Sequence, residues 1–260
     1  MAGVWAAVLL AAVFWSARTD PPTVPEQRDI AQALATLRVA SGAVVAAAED
    51  ERWALSIGEL RVEDCSVNPA WAGQAATREV RLYVPEGDAR AALETIAQEL
   101  PADFAAEMLA TRGATRLSLY ADAGEHVGIE AEAHSSDQVL SVLIRTGCRP
   151  AVDGLNPADP PAGSEPALLG TTAAAITGSS TADPPETRAV ACPDDGAAAT
   201  FVLDAGPAQP ESAPRGIPDG AAPIWADADG WAYRIGSDSV VVARDGDRFR
   251  LSVTTACRAT

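Results

Sequence analysis

Met1 to Ala17 forms an uncharged, largely apolar run that ends at Arg18-Thr19-Asp20-Pro21-Pro22. As a helix at about 1.5 Å per residue it spans roughly 25 Å, the lower limit for crossing the hydrocarbon core of a bilayer. Trp5 and Trp15 stand near its two ends, where interfacial tryptophans collect. The basic n-region of a secretory signal and a lipobox cysteine are both missing, so residues 1–18 read as a transmembrane signal anchor. Ser16-Ala17 as the end of a cleavable signal is the alternative.

The pattern then turns amphipathic. Thr23-Val24-Pro25-Glu26 fits a capping box and predicts a helix over 24–50. Ile30, Leu34, Leu37, Ser41, Val44 and Ala48 form a stripe along it at spacings of four and three. Two readings fit the stripe: a helix laid against the sheet that follows, or a short dimerising stalk above the membrane.

From Trp53 the period drops to two. Trp53, Leu55 and Ile57 alternate, then Leu60 and Val62 on the opposite parity, which predicts a bulge near Gly58 and Glu59 in a strand leading to Cys65. A loop with Pro69 and Trp71 precedes a strand over Glu79 to Val84. Ala89, Ala92, Leu93, Ile96 and Leu100 predict a helix capped by Asp88, and Phe104, Met108 and Leu109 a second short helix ended by Gly113. Leu117 to Ala121 and Val127 to Ala133 form a hairpin about Asp122-Ala123-Gly124.

Gln138 to Thr146 fits a strand or a short helix by periodicity alone. A repeat decides. Leu140-Ser141-Val142 running into Thr146-Gly147-Cys148-Arg149 is echoed by Leu251-Ser252-Val253 running into Thr254-Thr255-Ala256-Cys257-Arg258, and the second copy follows an Asp245-Gly246 hairpin turn. Both are therefore strands.

Residues 151–188 are rich in Pro, Ala, Gly, Ser and Thr and predict a flexible linker, within which Ala167 to Ile176 is less polar and could pack locally. Beyond it come Val190-Ala191-Cys192, a strand over Thr200 to Leu203, a Pro- and Gly-rich connector over 206–222 unable to hold a helix, and three strands within 231–255. The expected fold is α+β with mainly antiparallel sheets: an anchor at 1–18, a first module at 19–150 with helices, the linker, and a second, nearly all-β module at 189–260. The two modules would be degenerate copies, each closed by a disulfide.

Composition narrows the functions. The 48% hydrophobic fraction is enough to build cores, and with 5% aromatics those cores must be mostly aliphatic. Every one of the 19 basic residues is arginine, a bias that a GC-rich genome produces. The net charge of -17 and the lack of a basic cluster make nucleic acid and anionic lipid poor partners.

Cys65, Cys148, Cys192 and Cys257 are too far apart in sequence for short-spaced metal pairs, and four buried thiols in a cytosolic protein is the competing reading. We expect Cys65 with Cys148 and Cys192 with Cys257, because each pair brackets one copy of the repeat. Arg18 by the positive-inside rule would hold its own side in the cytoplasm. The cysteine framework, spread over the chain, points the body outward and carries more weight.

No catalytic, cofactor-binding or metal residue stands out. His126 and His134 flank Glu130 and Glu132 on one predicted strand, but eight residues at about 3.3 Å separate the histidines by roughly 26 Å, whereas zinc ligands sit about 2 Å from the ion. A solvated strand face fits better. Asp227-Ala228-Asp229-Gly230 resembles part of a calcium loop without its distal Glu and reads as a hairpin turn. There is no G-x-S-x-G and no phosphate loop, and His134-Ser135-Ser136-Asp137 are too close in sequence to form a triad. The expectation is a membrane-anchored extracytoplasmic protein without catalysis, meeting a protein or cell-wall partner and using no cofactor. A small-ligand or sensor module with an apolar cavity between sheet and helices is one alternative. An envelope hydrolase using paired carboxylates is another.

Overall fold

The computed structural model describes residues 28–68, 71–111, 113, 115–178, 184–208 and 214–259, together with positions 5, 9, 10 and 15. The expected anchor and the Thr23 capping box lie outside these residues, apart from Trp5, Leu9, Leu10 and Trp15, which are helical and exposed.

Helix α1 (Ile30–Ala47) starts at Asp29, whose carboxylate accepts the Gln32 amide at 3.0 Å. All six residues of the expected stripe are buried, and α1 packs on β3 (Trp71–Tyr83), β7 (Val139–Pro150) and β8 (Glu186–Ala191). Ser41 sits in this stripe with its buried hydroxyl satisfied, since it donates to Leu37 O at 2.7 Å. The helix is long and apolar enough to span a membrane, yet 61% of it is buried inside the protein, the signature of a core helix. Gly42 lets it close on β8, since a Cβ there would lie 1.8 Å from Ala191 O.

The first sheet runs β1 (Ala54–Ile57), β3, β7, β6 (Gly128–His134), β5 (Arg116–Asp122), β4 (Glu107–Ala110), with β2 (Arg61–Asn68) also on β3. β1 and β2 pair successively with the same edge of β3, and the expected bulge falls between them: Ile57 faces Val80 while Arg61 faces Thr77. β3 is longer than expected, because it takes in Trp71 and the stretch read as a loop. This stretch lacks large alternating residues but is held between β2 and β7. Helix α2 (Ala89–Glu99) buries Ala89, Ala92, Leu93 and Ile96 as expected, although Asp88 makes no side-chain cap bond.

The second short helix expected from Phe104, Met108 and Leu109 is not formed. A single 3-10 turn (Ala102–Phe104) ends at Ala105 in the left-handed region, and Glu107–Ala110 is β4, with Met108 half-buried opposite Leu119 and Leu109 exposed. β5 (Arg116–Asp122) and β6 (Gly128–His134) form the hairpin, and the Gln138 segment is a strand, β7.

The second sheet runs β10-β11-β12-β13-β9-β14, with β8 also on β9. Its strands are β9 (Gly196–Pro207), β10 (Trp225–Asp227), β11 (Gly230–Ile235), β12 (Asp238–Asp245), β13 (Arg248–Thr254) and β14 (Arg258–Ala259). One face packs under α3 (Ala167–Thr177), where Leu169 and Ala173 meet a core containing Phe201, Tyr233 and Leu251. The stretch expected to be a flexible linker thus contains a packed helix. It is also tied down before that helix: Arg38 donates to Asn156 O and Ala158 O at 2.7 and 2.8 Å, and Asp159 pairs with buried Arg78 and accepts the Ala189 amide.

Cys65 is bonded to Cys148 and Cys192 to Cys257, with Cα separations of 6.0 and 5.9 Å. Each disulfide lies beside the arginine of a Cys-Arg pair, and both arginines reach a hairpin turn. Arg149 donates to Glu125 O and His126 O between β5 and β6, while Arg258 donates to Ser237 and Asp238 between β11 and β12.

Candidate functional site: the cleft between the sheets

The two sheets meet edge to face. β1 is an edge strand, so alternate amides point away from β3 and need partners. The second sheet supplies them from side chains: Leu55 N donates to Ser239 Oγ at 3.1 Å and Ile57 N to Thr200 Oγ1 at 2.8 Å. Thr200 and Thr254 share a further hydroxyl hydrogen bond at 2.8 Å. Tyr83 and Trp225 pack at 5.1 Å between ring centroids, and Arg234 donates to Trp53 O at 3.1 Å.

Strand alternation decides what lies beside this junction. On β3, Val80 and Leu82 turn into the core under the helices while Thr77, Glu79, Arg81 and Tyr83 take the opposite face. On β9, Phe201 and Leu203 turn to α3 and Thr200 and Val202 away from it; on β13, Leu251 and Val253 turn in and Arg250 and Ser252 out. The two helix-free faces converge on a cleft of about 320 Å³.

Five arginines line it: Arg61, Arg81, Arg188, Arg244 and Arg250. Arg81 is held tightly, with Nε on Glu79 Oε1 at 2.9 Å, and Ser141 donates to the same oxygen at 2.6 Å. The other four pair more loosely: 3.3 Å for Arg188–Glu186 and Arg250–Asp245, 3.6 Å for Arg244–Asp229 and 3.9 Å for Arg61–Glu59. The Arg188 Nε is buried without a partner. Val202, Val241 and Ala243 add a small apolar wall.

Burial pushes the Glu79 carboxyl up, but hydrogen bonds from Arg81 and Ser141 and the nearby Arg61 charge outweigh it and hold the group below its usual range. Glu79 is therefore ionised at neutral pH. A glycosidase proton donor needs the reverse shift. Its hydrogen bond to Arg81 raises the guanidinium pKa, and burial raises that of Tyr83, which keeps both protonated.

The residues singled out from sequence lie elsewhere. The cysteines are all in disulfides. His126 is not on β6 but in the turn before it, with φ 56°, and His134 ends the strand. Glu130 and Glu132 pair with Arg145 and Arg116. Among the described residues no three His, Cys, Asp or Glu side chains are grouped to hold a metal. Asp227 caps its own turn, accepting from Asp229 N at 2.7 Å and Trp225 Nε1 at 3.0 Å.

The space between the first sheet and its helices is filled by residues such as Leu37, Val80, Leu93 and Ile96, so the cleft lies on the side opposite the cavity anticipated from sequence. Sequence reasoning missed the cleft arginines. Their alternation with apolar residues in Arg250-Leu251-Ser252-Val253 was visible, but not which surface they would face.

No protein-family model and no curated protein matches the chain. Among solved structures, the crystal structure of a DUF4853 family protein from Actinomyces odontolyticus aligns with a TM-score of 0.36 and 15% identity, over 52% of this chain and 76% of that one, a likeness too distant to carry an argument.

Proposed function

We propose that the chain is attached to a membrane by its N-terminal apolar segment and works on the extracytoplasmic side as a non-catalytic binding module. The observation that carries this is the pair of closed disulfides joining distant strands, Cys65–Cys148 and Cys192–Cys257. Such bonds persist in oxidising compartments and are reduced in the cytosol. The partner is a protein or wall component that tolerates a net charge of -17.

On this reading the body is two copies of one unit, 19–150 and 189–260, the second having no counterpart, between β9 and β10, of the helix that the first carries between β3 and β4. Three correspondences support it. The order β2, β3, β7, β6, β5, β4 matches β8, β9, β13, β12, β11, β10 strand for strand. Each disulfide ties the first of the matched strands, at Cys65 in β2 or Cys192 just after β8, to the end of its unit, and each Cys-Arg arginine reaches the hairpin at the corresponding place.

The inter-sheet cleft favours a second reading, in which the module binds a small ligand. Its place at the junction of two structural units is where ligand sites concentrate, and its volume lies at the lower end for such sites.

Protease treatment of intact cells or spheroplasts tests the placement. Loss of the body while cytosolic markers survive, with the protein retained in carbonate-washed membranes, is the expected result. Full protection of the body, or release by carbonate, would overturn it.

A further inference from the structure

We infer that the arginine-lined cleft between the two sheets binds a small ligand carrying carboxylate or phosphate oxygens, seated between Arg81 of the first sheet and Arg188 and Arg250 of the second. This deepens the binding-module reading and rests on it only for its biological setting.

The distribution of charge is the first ground. Five of the chain's 19 arginines line this cleft, against three of its 36 acids, Glu59, Glu79 and Asp245. A random share of so acidic a chain would give the opposite balance. The local field thus favours an anion although the molecule as a whole repels one. Salt at 0.1 M screens that repulsion beyond about 10 Å and leaves close pairs far less affected.

The second ground is how loosely these arginines are held. Charge-assisted hydrogen bonds between guanidinium and carboxylate fall near 2.7–2.9 Å, and Arg116–Glu132 at 2.8 Å and Arg52–Asp50 at 2.9 Å reach that range elsewhere on the surface. In the cleft only Arg81 does. Arg188, Arg244, Arg250 and Arg61 stand 3.3 to 3.9 Å from exposed or half-exposed acids; Arg244 also donates to Ala228 O at 3.1 Å, and the other three keep most of their donors for a ligand. The buried, unpartnered Nε of Arg188 is a donor whose desolvation has been incurred without a bond.

The third ground is complementarity beyond charge. Ser252 puts a hydroxyl beside the wall of Val202, Val241 and Ala243, a setting for a ligand with a short carbon frame behind its acidic group. A neutral molecule of the same size accepts weaker hydrogen bonds from the guanidinium groups, without the charge pairing, and is discriminated against.

Isothermal titration of the full chain in a neutral detergent at 0.1 M NaCl, with citrate and with inorganic phosphate as probes and glucose as control, tests the inference. One oxyanion is expected to bind 1:1 and glucose not at all; which of the two binds tells a carboxylate from a phosphate ligand. R188Q and R250Q should each weaken binding at least tenfold, and R116Q, on the outer part of the first sheet, less than twofold. Against misfolding of a variant, the wild-type chain is modified with phenylglyoxal and mapped by mass spectrometry. The oxyanion should slow reaction at Arg188 and Arg250 about fivefold and leave Arg116 unchanged. Absence of binding by both oxyanions, or slowing that is uniform over all three arginines, would overturn the inference while leaving the disulfides and membrane placement untouched.

Discussion

The Ile57 amide donates to the Thr200 hydroxyl at 2.8 Å, across 143 residues of sequence. An edge-strand donor that would otherwise face water or a second chain is buried against the face of another sheet. Replacing Thr200 with Val removes the acceptor at nearly constant volume and leaves a buried amide unpaired. The expected loss is about 1–3 kcal/mol by urea unfolding, with T200S close to wild type. A T200V loss well below that range would mean that the junction is held by packing alone.

Arg78 points into the core face of β3, where it is 2% exposed, and Asp159 supplies its charge partner from the stretch that joins the sheets. Burial lowers the Arg78 pKa, and the Asp159 charge opposes that. D159A strands a buried cation, and breaking such pairs costs about 3–5 kcal/mol. The double change R78M/D159A is expected to be milder than D159A alone. Equal stability of D159A and wild type in a thermal melt would show that the tether carries no load.

Glu79 gives the cleft a pH signature. Its folded pKa is held below the ordinary value of 4.5, so the ionised form contributes stability that is complete above that value and is lost as pH falls through the lowered one. Unfolding free energy should therefore drop as pH falls below about 4.5, and E79Q should flatten that limb. An identical acid limb in E79Q would assign the loss to other carboxylates, such as Asp50 and Asp204, whose pKa values their arginine partners also lower.

Arg149 explains why arginine follows cysteine at the end of β7. Its side chain is 2% exposed and donates to the carbonyls of Thr146, Glu125 and His126, and the last two residues are held at φ 53° and 56°. Such backbone persists only where its surroundings impose it. R149A should release the turn, with hydrogen exchange at residues 123–127 rising at least tenfold before any change in the sheet core. Unchanged exchange there would mean that the turn holds itself.

The local elements were legible in sequence wherever one period held for long enough. The stripe from Ile30 to Ala48 is buried, and the parity switch at Gly58 is a real register shift. Phe104 to Leu109 misled because three apolar residues spaced four and one fit a helix and a turn-plus-strand equally. Trp71 to Thr77 was missed because its small residues give no alternation, and its strand state comes from pairing with β2 and β7. Helix α3 was only hinted at, since its mostly small side chains pack on a sheet that forms later in the chain. The cleft was illegible for a deeper reason. It exists only because β1 stands on β9, β12 and β13, a relation between residues more than a hundred positions apart that no local pattern encodes.

Each disulfide closes a long loop, between cysteines 83 and 65 positions apart. The chain-entropy estimate is about 4 kcal/mol for each, so a reducing compartment would be a poor home for this fold. Peptide mapping of the protein taken from the membranes of its own cells, alkylated while denatured and unreduced, is the most direct test of the extracytoplasmic proposal. The expected result is linked peptides carrying Cys65 with Cys148 and Cys192 with Cys257 and no alkylated cysteine; four alkylated cysteines would contradict it.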